Sequence, residues 1–254
     1  MSEALLTEVV DGVLVMTINR PDVRNAINLA AAQGIAAALD ELDARTDVAV
    51  GVLTGAGSSF CAGMDLAAFL AGERPHVPGR GFAGIVERPP DKPLIAAVEG
   101  YAVAGGFEIV LCCDMVVASV DAVFGLPEVK RGLLAGGGGL LRLPERVPYA
   151  IAAEWTLTGS NIPAARAAEV GVVNRLAPPG GALAEALDLA HQIAANAPLA
   201  VRATKRILTE SRRWPADEAF ARQAEIYQPV RSSADAVEGA RAFREKRRPQ
   251  WRGR

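Results

Sequence analysis

Val48 to Leu53, Leu94 to Val98 and Met115 to Ala118 are short runs with almost no polar side chain. Strands of that kind have no face suited to water, so they belong inside a sheet that is covered on both sides. The first run leads into the glycine-rich loop Gly55 to Gly63, and the second into a helical pattern from Gly105 to Cys113. Strand, loop, helix and strand in repetition imply an α/β layer architecture. At 254 residues, 50% of them hydrophobic, the chain can bury the core such layers need.

Around this centre the pattern is readable in parts. Leu5 to Val10 and Val13 to Ile18 flank Asp11-Gly12, a hairpin signal. Asn28 is placed to cap a helix reaching Ala44, with Ile35, Leu39 and Leu42 along one side. Residues 72–92 are rich in Gly and Pro and read as a long loop. After Pro148 helical patterns dominate, over 148–158, 163–170, 181–196, 198–211, 215–229 and 233–244. Only Val172 to Leu176 reads as a strand in that part.

Composition excludes several functions. Lys and Arg number 27 against 29 Asp and Glu, a net charge of −2, which gives no global attraction to nucleic acid or an anionic membrane. Three cysteines, Cys61, Cys112 and Cys113, do not make a disulfide framework and point to a reducing compartment. The segment from Met1 to Glu8 has no basic region or long apolar run, so a soluble cytoplasmic protein is expected. His76 and His191 are the only histidines, too few for a zinc cluster, and no G-x-S-x-G elbow or phosphate-binding P-loop is present. Gly55-Ala56-Gly57-Ser58-Ser59-Phe60 is a weak dinucleotide match, with Phe where a third small residue belongs.

Three segments carry possible chemistry. In Ala97 to Glu108 an apolar strand turns through Gly105-Gly106 into a helix with Glu108 in its first turn. Free N–H groups and the positive dipole end of such a helix suit an oxyanion hole, although a helix start with a favourable Glu is also common. Glu128, 20 residues on, follows Pro127 and precedes the glycine run Gly136 to Gly139. Two carboxylates close together raise one another's pKa, which lets a neutral acid and an ionised base coexist. Two unrelated surface carboxylates are the plain alternative. Ser58 to Leu66 again leads from a buried strand to small residues and a helix start, where the N–H near Met64 is a candidate second donor. A simple β–α loop is its alternative. Cys61 has no nearby His to activate it and reads as a packing residue.

Taken in order, these segments resemble the crotonase, or enoyl-CoA hydratase/isomerase, superfamily. The series runs from Asn19-Arg20-Pro21 and Asn25-Ala26 through Phe60 to Leu66, Gly105 to Glu108, Phe124 to Glu128, Gly136 to Gly139 and Leu157-Thr158-Gly159. It ends with Asn196-Ala197-Pro198, Glu238-Gly239, Phe243, Glu245-Lys246-Arg247 and Pro249, so it covers essentially the whole chain. Phe107, Leu126 and Asp235 to Gly239 look most like the carnitinyl-CoA dehydratase branch.

The resemblance implies a ββα spiral core over residues 1–195 and a helical oligomerisation region over 196–254, assembling as a homotrimer or a dimer of trimers. It implies an acyl-CoA thioester as substrate, with no metal or redox cofactor. The oxyanion donors would be the N–H groups of Met64 and Gly105, the acid–base pair Glu108 and Glu128, and the water-holding N–H that of Gly136. Arg24, Ala62, Asp65 and Leu66 would line the CoA site, with Phe243 and Lys246 reaching the CoA of a neighbouring subunit. Ala104, Ala135 and Ala67 depart from the Gly, Pro and Lys frequent at those places. Arg241 to Arg254 holds seven basic residues and one acid, a local net of +6 that leaves the rest of the chain at −8. Such a cluster suits a phosphate-rich nucleotide or is a solvated tail.

The implied activity is reversible hydration of the 2,3 double bond of an enoyl-CoA. The alternatives are a dehydratase or isomerase for a specialised, carnitinyl-CoA-like substrate and a non-catalytic or RNA-binding homologue. The acidic balance and the lack of an aromatic-interleaved basic stripe count against nucleic acid.

Overall fold

Asp11 and Gly12 both take positive φ, 47° and 80°, the two-residue turn that matches the twist of the hairpin Leu5–Val10 (β1) and Val13–Ile18 (β2). The computed structural model describes residues 3–254; Met1 and Ser2, the start of the N-terminal segment read above, lie outside them. Leu29–Ala44 (α1) begins at Asn28, whose side chain accepts the Ala31 N–H, and it buries Ile35, Leu39 and Leu42. There follow Val50–Gly55 (β3), Leu66–Leu70 (α2), the short hairpin His76–Val77 (β4) and Gly81–Phe82 (β5), and Leu94–Val98 (β6). Tyr101–Val103 (β7), Gly105–Cys112 (α3), Met115–Ser119 (β8), Val123–Gly125 (β9) and a 3-10 turn at Pro127–Arg131 come next. Gly139–Arg146 (α4), Tyr149–Thr158 (α5), Ile162–Pro163 (β10), Ala164–Glu169 (α6) and Arg175–Ala177 (β11) complete the mixed part. The chain ends in four helices, Ala182–Ala194 (α7), Pro198–Glu210 (α8), Ala219–Arg231 (α9) and Ala234–Glu245 (α10).

The main sheet has the order β1-β2-β3-β6-β8-β11, parallel except for the β1–β2 hairpin. A second sheet, β10-β9-β7, is extended by isolated parallel bridges of Ala102 with Cys61 and of Ile27 with Met64. Successive turns of chain therefore lay one segment in each sheet before a helix: β3 then Cys61, β6 then β7, β8 then β9.

The apolar runs are buried on both faces, as their composition demands. Leu14, Met16, Leu53, Ala96 and Val116 face one core with Phe60, Phe107 and Phe124. Val13, Val15, Val52, Ile95 and Val117 face a second, closed by Ala186 and Ala190 of α7. Beyond α7, neither α8 nor α9 has a buried residue. Lys205 ties α8 to the sheet by an ion pair with Asp114 (2.6 Å) and a bond to the Lys92 carbonyl (2.8 Å).

Two expectations need revision. Residues 72–92 are not an open loop: besides β4 and β5 they bury Phe82, Ala83, Ile85 and Val86 in the main core. Buried Arg80 holds the segment through Asp40 and the Arg88 carbonyl. The strand expected over 172–176 is displaced to Arg175–Ala177, because the N–H groups of Val172 and Val173 turn back to the Ala167 carbonyl.

Candidate active site

Parallel bridging fixes the direction of one N–H group. Ile27 N–H donates to the Gly63 carbonyl (2.8 Å), and Asp65 N–H donates to the Ile27 carbonyl (2.9 Å). In such a pair the intervening residue turns its own N–H to the opposite side, so Met64 N–H faces away from Ile27. On that other side, Cys61 is paired with β7 through Tyr101 and Val103. β7 ends at Val103, Ala104 follows as the cap, and Gly105 opens α3 with an N–H that a helix start leaves without a partner. A Cβ built on Gly63 would lie 3.2 Å from the Gly105 nitrogen, so the two loops are in contact. Among the described residues neither Met64 N–H nor Gly105 N–H has an acceptor.

The close approach explains the small residues. A Cβ on Gly106 would collide with the Cys61 carbonyl, and one on Gly105 would lie 2.6 Å from the Phe82 ring. Ala104 adopts φ 51° and ψ −130°, a region alanine enters only under strain.

Glu108 points inward from the first turn of α3 and is 4% exposed. Its Oε1 accepts the Gly139 N–H at 2.9 Å. Burial pushes this carboxyl above the usual range and the Glu128 charge adds to the effect, while the N–H groups of Gly139 and Gly137 and the Arg142 charge oppose it. Glu128 is half-buried in the 3-10 turn after β9, where Pro127 occupies the first position. Burial pushes it upward too, against the nearby charge of Arg131. Its Oε2 is buried with no hydrogen-bond partner among the described residues. Two carboxyls close enough to repel thus stand in different settings, one held by the N–H groups of Gly139 and Gly137 and the other with its Oε2 unpartnered among the described residues.

At Pro127, the residue before Glu128, opens a cavity of about 420 Å³ whose lining also includes Arg24, Ala62, Tyr101, Val103, Lys130 and Arg131, and no acidic side chain. Ala62 N–H donates to the Arg24 carbonyl (3.0 Å), and the Arg24 guanidinium lies 5.9 Å from the Tyr101 ring centre. None of Arg24, Lys130 and Arg131 forms an ion pair among the described residues.

The structure does not gather every expected residue. Gly136 is exposed, with Leu134 as its nearest neighbour, and the backbone groups that reach Glu108 are those of Gly139 and Gly137. The Asp65 carboxylate is engaged within the protein: it caps α2 through Ala67 and Ala68 and pairs with Arg20 at 2.9 Å. Leu66 is 55% exposed. Phe243, 88% exposed, and Lys246 lie at the end of α10, and among the described residues no hydrogen bond or ion pair joins their side chains to the site. Cys61 is buried, with its thiol pushed up to about 12, which rules it out as a nucleophile near neutral pH. His191 lies on α7, behind the main sheet, and His76 packs edge-on to Phe82.

Sequence reading missed Phe82, Gly137, Gly139, Lys130, Arg131 and Arg142. The glycine run was a visible signal for two of them. Phe82 had none, because the segment around it has no period.

A family model described as Enoyl-CoA hydratase/isomerase matches residues 8–254. The chain is similar to an enoyl-CoA hydratase, EchA19, of Mycobacterium tuberculosis (strain ATCC 25618 / H37Rv), at 43% identity over 250 residues covering 95% of this chain and 93% of the relative. It is also similar to a carnitinyl-CoA dehydratase of Salmonella heidelberg (strain SL476), at 40% identity over 263 aligned positions and 100% of both chains. Among solved structures, an enoyl-CoA hydratase from Mycobacterium tuberculosis H37Rv shares 60% identity, with a TM-score of 0.98 and 100% of each chain covered.

Proposed function

The chain belongs to the enoyl-CoA hydratase/isomerase family, and we propose that it is an enoyl-CoA hydratase that adds water reversibly across the 2,3 double bond of an enoyl-CoA thioester. The observation that carries this reading is the pair Glu108 and Glu128, within electrostatic range of each other, together with the N–H groups of Met64 and Gly105, which have no acceptor among the described residues.

In this reading the thioester oxygen sits between the N–H groups of Met64 and Gly105. These donors bind the negative charge that develops there, a contribution of about 3–4 kcal/mol per donor. Glu108, whose carboxylate accepts backbone N–H bonds, is the base. It takes a proton from water as the oxygen bonds to C3, and the π electrons move toward C2 and the thioester oxygen. Glu128, whose buried Oε2 has no hydrogen-bond partner among the described residues, is the acid and delivers its proton to C2. A proton exchanged from Glu108 to Glu128 restores the starting state. Run backwards, the same site dehydrates a 3-hydroxyacyl-CoA. Gly136, at the rim of the glycine run, is the proposed water-holding donor.

The cation-lined cavity, with Arg24 and Ala62 in its wall, suits the phosphate-bearing end of CoA; Asp65 and Leu66 are the further proposed CoA-site residues. Phe243 and Lys246 would complete the CoA site of a neighbouring copy, which makes residues 196–254 the assembly region of a homotrimer or dimer of trimers. The similarity to a carnitinyl-CoA dehydratase favours a second reading, dehydration of a substituted 3-hydroxyacyl-CoA by the same two glutamates.

The test is loss of conjugated enoyl-thioester absorbance with crotonyl-CoA and a longer enoyl-CoA, for wild type, Glu108→Gln and Glu128→Gln. Turnover in wild type, lowered by about 100-fold or more in each variant, is the expected result. No turnover on either substrate removes the hydratase reading.

A further inference from the structure

Arg142, on α4, is a cation without a carboxylate partner in any ion pair among the described residues. Its guanidinium makes two contacts that meet at the site. One is with Gly138, where a methyl group would collide with Nη1. Gly138 has φ +92°, and its neighbour Gly139 supplies the N–H on Glu108. The other is a bond from Nη2 to the Val86 carbonyl. Val86 N–H donates in turn to the Phe82 carbonyl (3.3 Å), and the Phe82 ring backs Gly105. A chain of contacts thus runs from the Glu108 carboxyl to the oxyanion donor Gly105, with Arg142 joining its halves.

We propose that Arg142 is a positioning residue: it clamps the glycine run that holds Glu108 to the segment that backs Gly105, and it sets its positive charge against the Glu108 carboxyl. The groups facing Glu108 are Glu128 from the Pro127–Arg131 turn, Arg142 from α4 and Cys112 from its own helix. Arg146 faces Cys112 and the Leu111 and Cys113 carbonyls instead. Of these, Arg142 is the cation that favours an ionised Glu108.

The inference deepens the hydratase reading, but its first measurement does not need turnover. Infrared titration follows the protonated carboxyl band that disappears in Glu108→Gln. In Arg142→Gln the midpoint should rise, and Arg142→Lys should hold it near wild type. In the same variants kcat with crotonyl-CoA should fall by about tenfold or more while KM stays within about threefold. An unmoved midpoint in folded Arg142→Gln, or a lysine variant that shifts as far as the glutamine one, overturns the proposal. If Arg142→Gln does not fold, Arg142→Lys decides: a lowered kcat with the midpoint held supports the clamp, and an unchanged kcat overturns it. If wild type hydrates nothing, the hydratase reading fails, and the infrared midpoint still decides the role of Arg142.

Discussion

Gly139 donates its N–H to Glu108 at 2.9 Å across 31 residues of sequence, and this bond binds the start of α4 to the first turn of α3. It supports a carboxyl that burial otherwise drives toward its neutral form. Because the folded pKa lies above the ordinary 4.5, the fold favours the protonated acid. Stability from this group is full below about pH 4.5 and is lost as pH rises through the folded value. Glu108→Gln, which needs no proton to stay neutral, should therefore melt higher than wild type at pH 7. The gain should shrink toward zero at pH 4. Paired thermal melts at the two pH values test this, and an equal gain at both would contradict it.

Ala104 carries a second cost, since its φ of 51° with ψ of −130° suits glycine. Releasing such strain is worth about 1–3 kcal/mol, less about 0.5–1 kcal/mol for the added freedom of glycine when unfolded. Ala104→Gly should raise Tm by a few degrees and leave kcat within about twofold of wild type. Calorimetry and a standard assay would show it. A lower Tm would mean that the Ala104 methyl packs more favourably than its backbone is strained.

Gly106 faces the opposite constraint, because any Cβ there meets the Cys61 carbonyl, a backbone atom that cannot swing aside. Gly106→Ala should push α3 away from the loop leading to Met64 and separate the proposed oxyanion donors, the N–H groups of Met64 and Gly105. The expected loss in kcat is about 100-fold or more. Circular dichroism on the same sample distinguishes a folded, inactive protein from an unfolded one.

Arg24 and Lys130 flank a cavity that has no acid in its lining. If they hold phosphate, replacing both with Gln should raise KM for crotonyl-CoA by about tenfold and flatten its dependence on salt. KM for crotonyl-pantetheine, which lacks the nucleotide, should not change. A parallel rise for both esters would assign these side chains to the shape of the cleft and not to the phosphates.

Much of the fold was legible because its central strands are buried on both faces and so lack polar residues, as in Leu94–Val98. The hairpin turn at Asp11-Gly12 and the Asn28 cap were legible because local geometry alone selects those residues. The strands of the second sheet were not. Tyr101–Val103, Val123–Gly125 and Ile162–Pro163 have two or three residues each, too few to show a period. They exist because neighbouring strands supply their hydrogen bonds, parallel between Tyr101–Val103 and Val123–Gly125 and antiparallel between Val123–Gly125 and Ile162–Pro163.

For the site, the sequence by itself determined the chemistry available: two glutamates, glycine-rich helix starts and a family pattern in order. Only the tertiary structure decided how those parts are held. It set Gly139 on Glu108, left the Glu128 Oε2 bare, placed Phe82 behind Gly105 and turned Asp65 inward to Arg20. The physical reason is that burial and hydrogen-bond direction depend on segments far apart in sequence. A carboxyl's identity is local, whereas its environment is made by whatever the fold packs against it.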